Sequence, residues 1–583
     1  MKKIFSLALI FALLISCKTD YFSEIDSNEL KSTKLKFKEN NTQRNFYGVV
    51  LSTTGAPISG AKVFIGDDAV STNSEGFFSF KNAHVNDSFA YIKVEKNGYI
   101  DGSRTVVPTE GDNRINIMMI PETITSTISS GTHSTVSLPN GTEINFDGNF
   151  KDEYGNPYNG SVNVGIFDLA SSNMYLNELM PGSFLANDSN GNPIVMDTYG
   201  MVHVQLSGSS GEKLQIADGH TAEMTTLIDP QQLATAPATI PLWSFNEVLG
   251  IWEEEGLATR VGNTYVGTVS HFSWWNYDVP FPVCELNFRV LNSSGDPLAN
   301  TKVSIKMLSQ SYDKYSITDS YGFAAGLVPA DEALEVGVYD NCGNLIYNTN
   351  VGPFSTGSKN TIPDIILPPD YSHKIVGTLK TCSGANVING IVNLKYVNSG
   401  NYFNDISAVV NNGNFVFYIV GCNIAQDFKI QGMDLSNGNS SGKIHFTAVN
   451  PATNVGIIFT CAAATEFVSY QIDNQPIENC FLGFTAGLEG GGLYVHHNQS
   501  VNIPSTNFLF LSNNINSVGT YTSGFTVNIG SEQIPALGNN LEFKLNQFGA
   551  IGDYIDFTID GTYTDTAGFV RNLSVTGHVI RDF

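Results

Sequence analysis

Two stretches of this chain repeat one another, and that repeat constrains the fold more than any other feature. The first reads "GVVLSTTGAPISGAKVFI", then "STNSEGFFSF"; the second reads "FRVLNSSGDPLANTKVSI", then "ITDSYGFAAG". Gly55, Pro57, Lys62, Val63 and Ile65 match Gly295, Pro297, Lys302, Val303 and Ile305 at a constant offset. Thr72, Ser74, Gly76 and Phe77 match Thr318, Ser320, Gly322 and Phe323. A third, more worn copy reads "GTLKTCSGANVINGIVNL", then "VNNGNFVF", with Asn386 in place of the turn proline while Gly413, Phe415 and Phe417 keep the second half. Each copy must therefore close the same small unit. Turn chemistry says which unit: G-x-P-hydrophobic closes a tight connection between two strands, and a glycine before phenylalanine permits the next reversal. Alternating residues from two sheets then fill a sandwich core.

The rest of the sequence agrees. Its 55 glycines and 22 prolines punctuate short runs rich in Val, Ile, Thr, Phe and Tyr. Helix-length amphipathic stretches are almost absent; the best helical start is a short turn at "DPQQLATA", where Asp229 can cap and Pro230 takes the first helical position. Near the end, Ile555, Phe557, Ile559 and Tyr563 alternate with Asp556, Thr558, Asp560 and Thr562, and "LSVTGHV" alternates again after a turn through "DTAG". That pattern predicts a half-buried hairpin. The fold class expected is all-β, built of tandem β-sandwich modules.

The three copies resemble the carboxypeptidase regulatory-like, transthyretin-like β-sandwich family, over roughly 45–121, 284–369 and 372–461. The resemblance implies a noncatalytic sandwich used as spacer, stabiliser or interaction module. Residues 122–283 form a different β-rich unit. Its stretches "MPGSFLANDSNGNP", "DTYGMVHVQL", "IPLWSFNEVLGIWEEEG" and "GTVSHFSWWNYD" resemble an extracellular domain of cartilage intermediate layer proteins and of bacterial surface proteins. The unit at 463–583 resembles a C-terminal β-domain common in bacterial lipoproteins.

The chain opens "MKKIFSLALIFALLISCKTD". Two lysines precede an apolar run from Ile4 to Ile15, too short to span a bilayer and shaped like a secretory leader. Its end, Leu14-Ile15-Ser16-Cys17, resembles the lipobox of bacterial lipoproteins. That resemblance implies cleavage after residue 16, lipidation of Cys17 and a tether over 17–44. Stable anchoring needs more than one acyl chain, which a multiply acylated cysteine supplies. Lys18-Thr19-Asp20, with Glu24 and Asp26 beyond, partly resembles the export signal that sends some lipoproteins to the cell exterior. The expected location is the outer membrane, lipid-anchored and facing outward. No later apolar stretch approaches the about 20 residues of a membrane helix.

A formal net charge of −25 argues against nucleic acid or anionic polymers as partners, since both require a basic footprint. Six cysteines follow Cys17: Cys284, Cys342, Cys382, Cys422, Cys461 and Cys480. None forms a C-x-x-C pair, so zinc-ribbon and thioredoxin-like motifs have no support. In an oxidising compartment they can form disulfides or remain buried thiols. The transthyretin-like resemblance implies one pair, Cys382–Cys461, because the first and last strands of such a sandwich run in the same direction and end at one pole.

Catalytic motifs are scarce. His220-Thr221-Ala222-Glu223 has the H-x-x-E spacing of metallocarboxypeptidase zinc ligands, but no helix-rich segment supplies the α/β domain that such a site needs; a polar turn is the reading preferred. H-E-x-x-H and G-x-S-x-G are absent. His496 and His497 are adjacent, so on a strand they face opposite ways and chelate poorly. "NDSNGNP" places Asp188, Asn190 and Asn192 at alternate positions, as calcium loops do, yet lacks the glycine at the sixth loop position and a terminal glutamate. An ordinary turn is expected there.

All four tryptophans, Trp243, Trp252, Trp274 and Trp275, fall in one neighbourhood. Read as a single strand, "GTVSHFSWWNYD" puts Phe272 and Trp274 on one face and Val269, His271 and Trp275 on the other. A strand that is apolar on both sides belongs between layers or at a domain junction, so core is expected in preference to a ligand platform. The functional expectation is a noncatalytic surface lipoprotein that binds an extracellular glycan or protein, or acts as a scaffold. No catalytic residue, metal or cofactor is expected. The alternative is an accessory subunit or degenerate member of a hydrolase system.

Overall fold

The computed structural model describes residues 41–309, 313–369, 371–396, 405–421, 427–448, 452–460, 466–481, 484–497 and 508–583. It is all-β: the one helix among the described residues is the single turn Leu176–Leu179. The segment 230–235 is a turn, with the Asp229 carboxylate accepting the N–H of Gln231 at 2.9 Å.

The three repeat copies share one topology. In the first, strand Asn41–Ser52 lies between Phe77–Asn86, antiparallel, and Asp112–Met119, parallel. A four-stranded sheet covers it, ordered Asp68–Ser71, Lys62–Ile65, Ala90–Glu95, Gly102–Val106. The third copy repeats this with Ser372–Lys380 between Asn414–Val420 and Ala452–Phe459, under Ile406–Val409, Gly390–Tyr396, Asp427–Asp434 and Ile444–Thr447. In the second, the C-terminal half of Trp274–Leu291 takes the central place, beside Phe323–Pro329 and parallel to Lys359–Thr361.

The matched residues perform matched tasks. Thr72 is buried; its hydroxyl donates to the carbonyl of Ile58 at 2.6 Å and accepts the N–H of Ala61 at 2.9 Å. Thr318 does the same with Leu298 and Thr301. Each hydroxyl ties the first turn to the second strand and satisfies backbone groups that would otherwise be buried unpaired. Gly76 and Gly322 both have φ of +78°, and a Cβ on either would stand 2.5 Å from the carbonyl oxygen of Val50 or Val290. Gly413 takes the same position against Leu379 in the worn copy. Glycine is required here by handedness and by space together.

The middle unit is a large assembly, antiparallel except where Leu185–Asn187 runs parallel to Ile251–Val261, around Val202, Val204, Leu242, Tyr265, Trp275 and Tyr277. Strand Trp274–Leu291 runs out of it without interruption. Its first half pairs with Pro193–Gly208 and its second with Phe323–Pro329, so the expected boundary at 283/284 falls inside one strand. The C-terminal unit stacks a six-stranded and a five-stranded sheet around Phe508, Phe510, Phe543 and Phe557. The hairpin expected there is present: Tyr554–Thr564 pairs with Val570–Ile580, with Ile555, Phe557, Ile559 and Tyr563 buried.

The modules are not strung out like beads. Strand Asn41–Ser52 buries both faces, with Phe46 and Val50 in its own core while Tyr47, Val49 and Leu51 pack on Ile391 and Met433 of the third module. Met118 and Ile120 enter a cluster with Trp243, Trp252 and Trp274 of the middle unit. Between the first and second modules, the Asp319 carboxylate accepts the N–H of Gly111 at 2.7 Å. Burial of apolar surface between modules, at roughly 25 cal/mol per Å², makes each joint part of the folding energy of its neighbours.

Candidate functional site

The tryptophan segment is core, but its strand is broken. Residues 270–273 bend between Thr264–Val269 and Trp274–Leu291, and the Gln215 side-chain amide satisfies the bend, accepting the N–H of Phe272 at 2.8 Å and donating to its carbonyl at 2.6 Å. The bend resets the alternation, so Phe272 joins Trp275 in the middle-unit core instead of pairing with Trp274. Trp274 faces the junction with the first module, against Phe167 and His203. All four indoles are 2% exposed or less. His271 lies at the edge, its Nε2 2.9 Å from the Glu255 carboxylate, and this hydrogen bond holds Glu255 below the usual carboxylate range.

His203, opposite Trp274 in the ladder, is pushed down to about 4 by burial. Its unfolded value is about 6.5, so between these values the unfolded chain takes up a proton that the folded chain refuses. Stability from this group is complete above about pH 6.5 and is lost as pH falls through 4, by up to about 3 kcal/mol. Denaturant midpoints at about pH 7 and pH 4.5 should therefore diverge less in His203→Phe than in wild type; equal divergence would mean that His203 is not buried neutral.

The remaining motifs resolve into turns and surface. His220 Nδ1 lies 2.6 Å from Asp147 Oδ2, while Glu223 stands in the strand Ala222–Leu227, near Asn145. The zinc spacing thus does not converge. His496 and His497 occupy opposite faces of Gly492–His497. In the 188–192 turn, burial raises the Asp188 carboxyl, yet the N–H groups of Asn192 and Asn190 outweigh it and hold the group low. The same D/N-x-x-G turn makes tight reversals at Asn73, Asp152, Asn292, Asp319, Asp340 and Asp565, so position 188 is turn chemistry. Among the described residues, no group of three or more His, Cys, Asp or Glu could hold a metal.

Cys17, Cys422 and Cys461 lie outside the described residues. Cys342 and Cys382 are disulfide-bonded, Cys284 is a free and buried thiol, and Cys480 is buried. Cys382 Sγ sits 3.6 Å from the carbonyl oxygen of Thr460, at the pole where the parallel strands Ser372–Lys380 and Ala452–Phe459 both end.

A deep cleft that the sequence did not mark lies where the first, middle and second modules meet. It encloses about 190 Å³. Arg104 comes from Gly102–Val106 and Arg114 from Asp112–Met119, while Lys314 and Tyr315 come from the edge strand Asp313–Ile317 of the second module. Phe184 of the middle unit lies on the far wall, 4.1 Å from the Lys314 ammonium. Lys314 also pairs with Asp197 at 3.0 Å. Among the described residues, Arg104 Nη1 donates only to the Gly182 carbonyl, at 3.3 Å. Arg114 donates to Asn300 Oδ1 at 3.3 Å and to the Asp405 carbonyl at 2.7 Å. Burial lowers both guanidinium pKa values, opposed by Glu178 at Arg104 and by Tyr47, Asp405 and Glu178 at Arg114, and arginine stays charged regardless. Arginine scarcity in an acidic chain was the one available hint, and nothing in sequence spacing placed these two together.

No protein-family model matches this chain. No curated protein matches it significantly either. Among solved structures it is similar to a shaft pilin from Lactobacillus rhamnosus GG, at 7% identity and a TM-score of 0.16, over 30% of this chain and 97% of the pilin. It is also similar to the Bacillus anthracis TIE protein, at 9% identity and 0.14, over 76% of this chain and 69% of that one. BcpA, the major pilin subunit of Bacillus cereus, gives 8% and 0.12, over 72% and 100%. At such scores the likeness bears on no site. Among the described residues, no helix is long and apolar enough to cross a membrane.

Proposed function

We propose that this protein is a noncatalytic, lipid-anchored surface protein whose β-modules form one packed scaffold that presents a binding cleft. The observation that supports this most is the interlocking of modules: the cleft walls come from three units held by buried contacts such as those of Met118, Ile120 and Trp274. A site assembled in that way is preorganised, which favours recognition by rigid elements. The lipobox-like end at Cys17 supports the anchor, and an acidic surface suits a soluble ectodomain facing outward.

The experiment is metabolic labelling with a fatty acid, joined to protease treatment of intact cells. Wild type takes up label, Cys17→Ala does not, and the wild-type chain is cut from outside. Equal labelling of both removes the anchor from the reading; protection of the wild type until cells are opened removes the outward orientation.

We propose further that Cys382 pairs with Cys461. Both strand ends meet at one pole, which supports a bond that needs Cα atoms within about 7 Å. Nonreducing peptide mapping should recover the 382–461 linked peptide; Cys382 linked elsewhere refutes it.

A further inference from the structure

We propose that the three-module cleft binds the oxyanion of a small organic acid, with Arg104 and Arg114 as its paired anchors. This deepens the binding half of the reading above and rests on it, without depending on the lipid anchor. A guanidinium offers five donors in a rigid fork. When taken into a protein for structural reasons it is matched by a carboxylate, because an unmatched buried charge is strongly unfavourable. Here neither is so matched: among the described residues, Arg104 and Arg114 contact carbonyl and amide oxygens only, and neither has a carboxylate within ion-pair distance. Donors remain on both groups at the wall of an open cavity.

The carboxylates nearby are already engaged or lie farther off. Asp319, on the cleft wall, has its oxygens taken by the N–H groups of Gly111, Tyr321 and Phe323. Asp405 and Glu178 attract Arg114 through space, and Glu178 attracts Arg104; burial pushes both carboxyls up, toward the neutral form, and Asp405 Oδ2 is engaged by Asn393 and Lys395. Lys314, also on the wall, is already paired with Asp197. Among the described residues, both guanidinium groups therefore lack a carboxylate in direct contact, and the group that completes them is an anion with at least two oxygens in one plane or face. Carboxylate, phosphate and sulfate share that chemistry. Tyr315 and Phe184 on the walls leave room beside the anion for a flat or ring-shaped body.

Calorimetric titration of the purified full-length protein with galacturonate, inorganic phosphate, inorganic sulfate and neutral galactose separates the sources. At least one anion should bind with a Kd of about 1 mM or tighter, while galactose does not. Preference for galacturonate assigns a carboxylate-bearing sugar, and preference for phosphate or sulfate assigns a tetrahedral anion. Arg104→Gln and Arg114→Gln should each weaken the bound anion by at least about tenfold, and Arg→Lys at either position by less. Should a Gln variant fail to fold, phenylglyoxal labelling of the wild type gives the same reading: the bound anion shields Arg104 and Arg114 and leaves Arg260 unshielded. Binding by none of the anions, equal binding of galactose, or labelling of both arginines unaffected by a bound anion overturns the proposal. The cell experiments on Cys17 stand or fall separately.

Discussion

Trp275→Ala in the full chain should cost about 3–5 kcal/mol of stability, the range for truncating a buried large aromatic. The indole is 1% exposed, its Nε1 donates to the His271 carbonyl at 3.1 Å, and it packs among Phe272, Val202 and Tyr277 in the middle-unit core. Removal leaves a cavity and also frees the bend at 270–273, whose carbonyl loses its partner. Trp274→Ala should cost about as much and also loosen the first module, because this ring lies in the cluster shared with Met118 and Ile120. Differential scanning calorimetry distinguishes the two. Trp275→Ala lowers one transition, whereas Trp274→Ala separates the first module as an earlier one. Unchanged transitions in both variants would reject the core assignment and return the segment to the list of ligand platforms. The test belongs in the full chain, since cutting at residue 283 severs a strand.

Gly48→Ala should damage the first module directly, at about 3 kcal/mol or more. Gly48 sits in the middle of strand Asn41–Ser52, opposite Phe78 on one side and Ile115 on the other. A Cβ there would lie 1.6 Å from the Ile115 carbonyl oxygen and 3.0 Å from the Phe78 ring. The Cβ position is set by the backbone and cannot rotate away. The parallel pairing with Asp112–Met119 must therefore open. Gly326→Ala is the control: it also lies in a strand, but nothing stands within 4 Å of its Cβ. That variant should remain within about 0.5 kcal/mol of wild type. Equal thermal midpoints for the two variants would mean that the first and last strands of the module are not paired as described.

How far the sequence could be read depended on the range of the contact. The repeat and the terminal hairpin are local: Gly76, Thr72 and the alternation from Ile555 to Tyr563 carry their reasons within a few residues or one turn. The interleaved packing is not local. Tyr47, Val49 and Leu51 have the composition of any half-buried strand, and only the third module's Ile391 and Met433 explain why that face is apolar. Strand alternation alone puts Phe272 on the wrong face, because Ser270 and Ser273 do not mark a break by themselves; Gln215, far away in sequence, stabilises it. The cleft escaped for a like reason. Arg104 and Arg114 lie on separate strands, and their shared wall exists only once Phe184 and Lys314 arrive from two other units.

Strand Trp274–Leu291 has a further consequence, for the order in which the chain acquires structure. Its first nine residues include the partners of Pro193–Gly208, so the middle unit cannot close until they have emerged. Once they are seated, the residues that follow, from Val283 on, extend from a rigid edge in the correct register before any of the second module exists. A chain delivered from its N-terminus thus meets the second module with one strand already in place, and loop-closure entropy for its first pairing is largely removed. The finished unit is the template on which the next one nucleates.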